Sequence, residues 1–288
     1  MAVAVIASGA AIVADGWPAR SEPAVRRIID GGNDRRSRDW ECGDTTPARV
    51  RSGQLCRTGS PQAATPTFLV WGDSHARAMA VAIGAAAARA GAAGLLALRP
   101  GCAPLRDAEV SGHDAEHDCS AFTDAVLELS ARSPGVTDVV LAGRWALLAE
   151  GTRYGRESGE TVYLSDTSTS ERSPAENHRV FARALRGSVE ALVAQGKRIW
   201  IVAAVPEVGW NVPSVLARSQ RFGRAPPAAP TRAEYATRQA FVLATLDELD
   251  ALPGVEVLRP DAMLCRDVRC DVTRDGLPLY FDSHHLTR

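Results

Sequence analysis

Short apolar runs alternate with longer segments of helical composition along most of this chain. Each run is apolar over about five residues and is bounded by Gly, Pro or charged residues, which predicts a strand buried on both faces. The predicted strands are residues 67–71, 94–98, 138–142, 198–205 and 255–258. The predicted helices are residues 74–91, 120–132, 174–195 and 232–249. The last two begin within the capping sequences Ser-Pro-Ala-Glu (residues 173–176) and Thr-Arg-Ala-Glu (residues 231–234).

This alternation predicts an α/β domain in which helices cover both faces of a parallel sheet. Two long stretches, residues 150–172 and 207–230, show no regular pattern. Five prolines lie between Pro206 and Pro230, which favours a loop, and we expect this loop on the substrate side of the domain.

Length and composition are typical of a globular protein. The 288 residues are 45% hydrophobic and 23% charged, which excludes a disordered, collagenous or coiled-coil chain. This length suffices for one large domain, or for one domain with an appendage. The formal net charge of −1 argues against nucleic acid as a partner.

The first fourteen residues are almost wholly apolar, but the run is shorter than the roughly 20 residues that span a bilayer. It also lacks the basic start of a signal peptide. Two interpretations remain: the tail of a transmembrane helix that begins upstream, or a short helix packed on the domain. The Arg- and Asp-rich linker over residues 18–46 favours the first. We therefore divide the chain into a membrane-proximal segment and linker, residues 1–46, and a domain, residues 47–288.

Six cysteines lie in three pairs that are local in sequence. Fifteen pairings are formally possible, but the clustering favours three local disulfides, each closing a short loop. The spacings typical of zinc sites are absent. The expected bridges join Cys42 to Cys56, Cys102 to Cys119 and Cys265 to Cys270. Disulfides indicate an oxidising, extracytoplasmic compartment.

Two polar segments carry candidate chemistry. The first predicted strand ends in Gly72-Asp73-Ser74, which places a serine at the carboxyl edge of the sheet and at the start of a helix. The alternative is that Asp73 or Ser74 only caps that helix. Near the other end, Asp282 and His285 lie three residues apart. A serine nucleophile needs a base whose tautomer is held by an acid, and this pair supplies both.

Several motifs together resemble the SGNH hydrolase superfamily, and most closely the SGNH domain fused to acyltransferase-three membrane proteins. The matching segments are VWGDSHARA, PGCAPL, VVLAGRWAL, VAAVPEVG, CRDVRC and LPLYFDSHHLT. The resemblance implies a flavodoxin-like three-layer sandwich with a parallel five-stranded sheet. It also implies Ser74 as nucleophile, with Asp282 and His285 as acid and base.

One departure from the family concerns the oxyanion. The superfamily has a Gly-x-Asn block, whereas the matching strand here ends in Gly143-Arg144-Trp145. We expect oxyanion donors among the Ser74 and Gly101 backbone N–H groups and the Arg144 side chain. Trp145 and His284 are the expected substrate contacts, with His284 at the rim of the cleft.

The resemblance implies an extracytoplasmic, membrane-tethered O-acyltransferase that carries an acyl group, in the simplest case acetyl, on a serine ester to hydroxyls of a cell-surface polysaccharide. A membrane acyltransferase domain, in the same gene or in a separate subunit, would deliver the acyl group. The alternatives are a secreted carbohydrate esterase and a non-catalytic glycan-binding domain. We expect no cofactor and no metal. His113 and His117 are spaced like metal ligands, but they lie beside Cys119 in a loop.

Overall fold

The computed structural model describes residues 21–32, 42–111 and 118–287. The expectations for residues 1–14 and for His113 and His117 lie outside these ranges. The described strands are β1 (Cys56–Gly59), β2 (Phe68–Gly72), β3 (Ala93–Leu98), β4 (Ala108–Val110), β5 (Asp138–Ala142), β6 (Leu164–Asp166), β7 (Arg198–Val202), β8 (Val255–Leu258), β9 (Thr273–Arg274) and β10 (Leu277–Pro278).

Two of the described helices precede β1, and the others lie between later strands. The helices are α1 (Pro23–Gly32), α2 (Pro47–Arg51), α3 (Ser74–Arg89), α4 (Cys119–Ala131), α5 (Trp145–Glu150), α6 (Pro174–Ala194), α7 (Val212–Phe222), α8 (Arg232–Arg238), α9 (Ala240–Asp250) and α10 (Asp261–Leu264). Among the described residues, none of these helices combines the length and apolar composition needed to span a bilayer.

The central sheet has the strand order β1-β3-β2-β5-β7-β8. The five predicted strands all form and all run parallel, which confirms the predicted fold class. A sixth strand, β1, was not predicted. It adds antiparallel to β3 at the sheet edge, where its short, half-exposed sequence Cys-Arg-Thr-Gly carries no apolar run.

Alternating side chains of β2 fill two different cores. Leu69 and Trp71 join the larger core with α4, α6 and α9. Phe68 and Val70 point to the opposite face, where they pack against α3. The sheet is therefore buried on both sides, and its carboxyl edge is the place where strand ends meet helix starts.

Three segments differ from the prediction. Residues 207–230 contain α7, because Asn211 caps this helix and Pro213 occupies its first turn, where a missing N–H costs nothing. The helix predicted over residues 232–249 divides at Gln239 into α8 and α9. Within the expected linker, α1 packs Val25 and Ile28 against Ala217 of α7.

The cysteines form the three expected disulfides, Cys42–Cys56, Cys102–Cys119 and Cys265–Cys270. Cys42–Cys56 ties the edge strand β1 to the chain that precedes α2. Cys102–Cys119 holds the loop after β3 to the first residue of α4. This second bridge therefore fixes a loop at the carboxyl edge of the sheet.

Candidate active site

Ser74 is the first residue of α3, directly after β2. The preceding turn requires glycine, since a Cβ at Gly72 would lie 1.9 Å from the Ala142 carbonyl oxygen of β5. Asp73 is the helix cap: its Oδ1 accepts from the His75 N–H at 2.7 Å and its Oδ2 from the Arg144 N–H at 2.8 Å. The capping role therefore belongs to Asp73, and the Ser74 hydroxyl remains available for other contacts.

A tight turn near the end of the chain holds Asp282 and His285. The Phe281 N–H donates to the His285 carbonyl at 3.0 Å, and the Thr287 N–H donates to the Leu279 carbonyl at 2.9 Å. Inside this turn, Asp282 Oδ1 accepts from the N–H groups of both His284 and His285. These bonds fix the carboxylate and leave its other oxygen directed at an imidazole.

A continuous chain of hydrogen bonds joins the two ends of the sequence. Asp282 Oδ2 lies 2.7 Å from His285 Nδ1, and His285 Nε2 lies 2.8 Å from Ser74 Oγ, across 211 residues of sequence. The Phe281 ring stacks on the His285 ring at a centroid distance of 4.9 Å. Carboxylate, imidazole and hydroxyl thus have the connectivity of a nucleophile, its base and the acid that orients the base.

The electrostatics keep this base neutral. Burial lowers the pKa of His285 to about 4, although the hydrogen bond to Asp282 opposes the shift. Burial would raise the pKa of Asp282, but the hydrogen bond from His285 outweighs it and holds that pKa well below its usual range. At neutral pH the pair is therefore an imidazole beside a carboxylate, which is the state that accepts a proton from a hydroxyl.

A second buried hydrogen-bond chain runs beside the first. His284 Nδ1 lies 3.0 Å from His75 Nε2, and His284 Nε2 lies 3.4 Å from Glu157 Oε1. Burial would raise the pKa of Glu157, but hydrogen bonds from His284 and Arg144 lower it to about 2. The Glu157 carboxylate is therefore ionised and fixes the ring orientation of His284.

Arg144 connects this second chain to the loop after β7. Its Nη1 and Nη2 donate to Glu157 at 2.9 and 2.5 Å, and its Nε donates to Glu207 at 3.0 Å. Arg238 donates to the other oxygen of Glu207 at 2.8 Å. The Arg144 guanidinium, expected as an oxyanion donor, is thus engaged by two carboxylates.

A cavity of about 200 Å³ opens beside the Ser74 hydroxyl. Its lining includes Gly101, whose φ of 77° requires glycine, together with Arg144, Arg153, Glu157 and His284. The backbone N–H groups of Ser74 and Gly101 donate to no other described residue.

Three histidine rings at this site place ligand-type nitrogens within 4.8 Å of one another: His75, His284 and His285. The facing nitrogens of His75 and His284 already share a hydrogen bond, which leaves no room for an ion between them. The His285 nitrogens contact Ser74 and Asp282. The arrangement therefore fits proton transfer better than metal coordination.

Comparison with known proteins identifies the family. The sequence profile described as "SGNH domain (fused to AT3 domains)" matches residues 41–288. The chain belongs to this family. Among curated proteins, no sequence matches. A solved structure, the periplasmic domain of a lipopolysaccharide acetyltransferase from Salmonella ser. Paratyphi A, is similar with a TM-score of 0.59 and 15% identity, covering 94% of this chain and 93% of that one. At this identity the likeness concerns the fold.

One expected substrate contact of this SGNH domain is wrong. Trp145 has no exposed surface: its indole N–H donates to the Val202 carbonyl at 2.8 Å and its ring packs edge-on against Phe181. Trp145 is therefore a core residue. His284 is 8% exposed and belongs to the second hydrogen-bond chain, but it also lines the cavity beside Ser74, so its role as a substrate contact stays a prediction.

Sequence reasoning missed the carboxylates of the second chain. Glu157 and Glu207 come from the two stretches that lacked any pattern, and Arg238 comes from a helix assigned only by its cap. The one available signal was the replacement of the family's Asn by Arg144, because a buried arginine requires carboxylate partners. Membership in this family, together with three disulfides, indicates an extracytoplasmic location.

Proposed function

We propose that this SGNH domain is an O-acyltransferase that carries an acyl group, in the simplest case acetyl, on Ser74 and transfers it to hydroxyls of a cell-surface polysaccharide. The hydrogen-bond chain from Asp282 through His285 to Ser74 Oγ carries the proposal. It joins groups from opposite ends of the sequence at the carboxyl edge of the sheet, beside a cavity.

In the first half-reaction, Ser74 Oγ attacks the carbonyl carbon of the acyl donor while His285 Nε2 accepts the hydroxyl proton. Asp282 stabilises the imidazolium that forms. The tetrahedral intermediate collapses when the bond to the leaving group breaks, and His285 returns the proton to that group. The product is an ester on Ser74, with His285 again neutral.

In the second half-reaction, a sugar hydroxyl attacks the ester carbonyl and His285 Nε2 takes its proton. The bond from the acyl carbon to Ser74 Oγ then breaks, and the same proton returns to Oγ. In both steps the carbonyl oxygen becomes negative, and the N–H groups of Ser74 and Gly101 are the donors we assign to it. Backbone N–H groups are already oriented before the negative charge develops, so no reorganisation is needed when the intermediate forms.

The family description supports transfer rather than hydrolysis alone. Domains of this family are fused to acyltransferase-three domains, so a membrane partner, in the same gene or in a separate subunit, is the proposed source of the acyl group. The similar solved structure is the periplasmic domain of a lipopolysaccharide acetyltransferase, which supports a glycan as acceptor. The alternative function, a carbohydrate esterase, differs from this acyltransferase only in that water replaces the sugar hydroxyl in the second half-reaction.

The test measures acyl transfer directly. Full-length protein is incubated with p-nitrophenyl acetate, with and without cell-wall oligosaccharides, and both p-nitrophenol and acetylated sugar are quantified. We expect acetylated sugar from the wild type and none from Ser74→Ala. Hydrolysis without sugar acetylation for every oligosaccharide would favour the esterase. Release of p-nitrophenol by the wild type no faster than the uncatalysed rate would favour the non-catalytic glycan-binding domain.

A further inference from the structure

A basic surface lies at one end of α7. The 26 residues from 208 to 233 contain four arginines and no Asp or Glu, although the whole chain carries a net charge of −1. Arg218, Arg221 and Arg224 are exposed, and within the described ranges none of them has a carboxylate partner. Some exposed arginines elsewhere do pair, as Arg198 does with Asp138 at 2.9 Å.

An exposed aromatic ring lies among these charges. Phe222 is 60% exposed, and the Arg221 guanidinium lies 5.6 Å from the centre of its ring. A ring of this size is costly to leave in water, whereas an aromatic side chain flanked by arginines is typical of a membrane–water interface.

Helix α1 extends the same surface. Gly32 lies against Pro213, at the start of α7, while Val25 and Ile28 pack on Ala217 further along it. The two helices therefore run in opposite directions, and the first turn of α1 lies at the same end as Phe222. The start of α1 adds the half-buried Arg26 and the exposed Arg27, while Glu22 precedes the helix and Asp30 lies near its other end.

The apolar run near the start of the chain is connected to the end of α1 that carries these arginines. Eight residues separate Pro23 from the apolar run of residues 1–14. Even fully extended, they span at most about 30 Å. The chain length therefore ties the apolar run to within about 30 Å of the end that carries the arginines and Phe222.

We propose that the basic surface, formed by Arg26, Arg27, Arg218, Arg221, Phe222 and Arg224, docks the domain on a bilayer of anionic phospholipid. The arginines pair with lipid phosphates, and Phe222 enters the headgroup region. The opposite end of α7 adjoins the active site, because the Val212 N–H donates to the Asp282 carbonyl at 3.1 Å. Eleven helical residues measure about 16 Å, so docking leaves the cavity beside Ser74 uncovered.

The test is sedimentation of full-length protein with vesicles of phosphatidylcholine alone and of phosphatidylcholine with 30% phosphatidylglycerol. The probe variant is Arg218→Gln/Arg221→Gln/Arg224→Gln. The matched control, Arg49→Gln/Arg89→Gln/Arg172→Gln, removes the same charge from exposed arginines outside this surface. Each arginine near an anionic surface contributes about fivefold in affinity.

We expect the wild type and the control to bind anionic vesicles at least tenfold more tightly than neutral ones, with a preference that weakens as salt rises. The probe variant loses that preference, and Phe222→Ser weakens binding several-fold at every salt concentration. Equal binding of the wild type to both vesicle types overturns the proposal. A preference for anionic vesicles that survives in the probe variant also overturns it, as does one that disappears equally in the control. Either result leaves open that the surface binds a protein, which is a different proposal.

Discussion

His284 and His285 are adjacent in sequence, but their rings contact different carboxylates. His285 Nδ1 lies 2.7 Å from Asp282, whereas His284 Nε2 lies 3.4 Å from Glu157. Their ring centroids are 4.1 Å apart. One imidazole therefore touches the Ser74 hydroxyl, and its neighbour belongs to the buried chain that supports the cavity wall.

The two histidines predict unequal losses on substitution. Among the described residues, His285 is the one base in contact with Ser74. We expect His285→Ala to lower kcat for p-nitrophenyl acetate by about three to four orders of magnitude, to the level of Ser74→Ala. His284→Ala leaves that contact in place and costs on the order of tenfold. Circular dichroism must show both variants folded. If kcat falls to the Ser74→Ala level in His284→Ala but not in His285→Ala, the assignment of His285 as the base is wrong.

The pH dependence follows from the lowered pKa of His285. The base works only when neutral, and burial lowers its pKa to about 4. Hydrolytic kcat/KM should therefore stay constant from pH 8 down to about pH 5 and fall as the pH drops through about 4. A histidine with its ordinary pKa would lose half of its activity near pH 6.5 instead. An acid limb centred there, with the protein still folded, contradicts the predicted pKa.

Glu157 predicts a loss of stability together with a loss of activity. Glu157→Gln takes a carboxylate from the largely buried Arg144, which retains only Glu207, so we expect the free energy of unfolding to fall by about 2–4 kcal/mol. We expect kcat to fall roughly tenfold, because His284 loses its anchor. The matched control is Glu248→Gln, which breaks an exposed pair with Arg186 and should change stability by less than about 1 kcal/mol. Equal effects in both variants would mean that the buried chain has no special role.

The bridge between Cys102 and Cys119 predicts an effect on activity that other bridges lack. It follows Gly101 directly and closes a loop of 17 residues, which contributes about 3 kcal/mol. Cys102→Ser/Cys119→Ser should lower the melting temperature about as much as Cys42→Ser/Cys56→Ser, whose loop is similar in length. Assayed well below both melting temperatures, only the first variant should lose most of its activity. Equal activities would show that the Gly101 N–H needs no such support.

Sequence patterns were reliable where a single physical cause controls a whole segment. Strands β2 and β5 form over nearly the predicted residues, because burial on both faces requires an unbroken apolar run. Gly72-Asp73-Ser74 was recognisable because a strand end, a cap and a helix start coincide there.

The remainder depends on contacts between distant segments. Strand β1 forms on backbone hydrogen bonds to β3 and a disulfide, neither of which leaves a periodic pattern. Trp145 follows a strand end, as a cleft residue would, but α5 turns into the core and buries it. The ion pairs of Arg144 unite three segments, and no local rule predicts which carboxylates meet.

The distance in sequence between Ser74 and His285 has a consequence for the biosynthesis of the protein. A nascent polypeptide emerges with its N-terminus first, so the serine and its helix leave the ribosome long before the histidine that contacts the serine hydroxyl. At typical translation speeds of about 5–20 residues per second, 211 residues correspond to a delay of roughly 10–40 seconds. In the mechanism proposed above, Ser74 has no base throughout that interval, and we expect the growing chain to be inert toward acyl donors. We expect reactivity only when the last segment closes onto the sheet, so that completion of the fold is the event that activates Ser74.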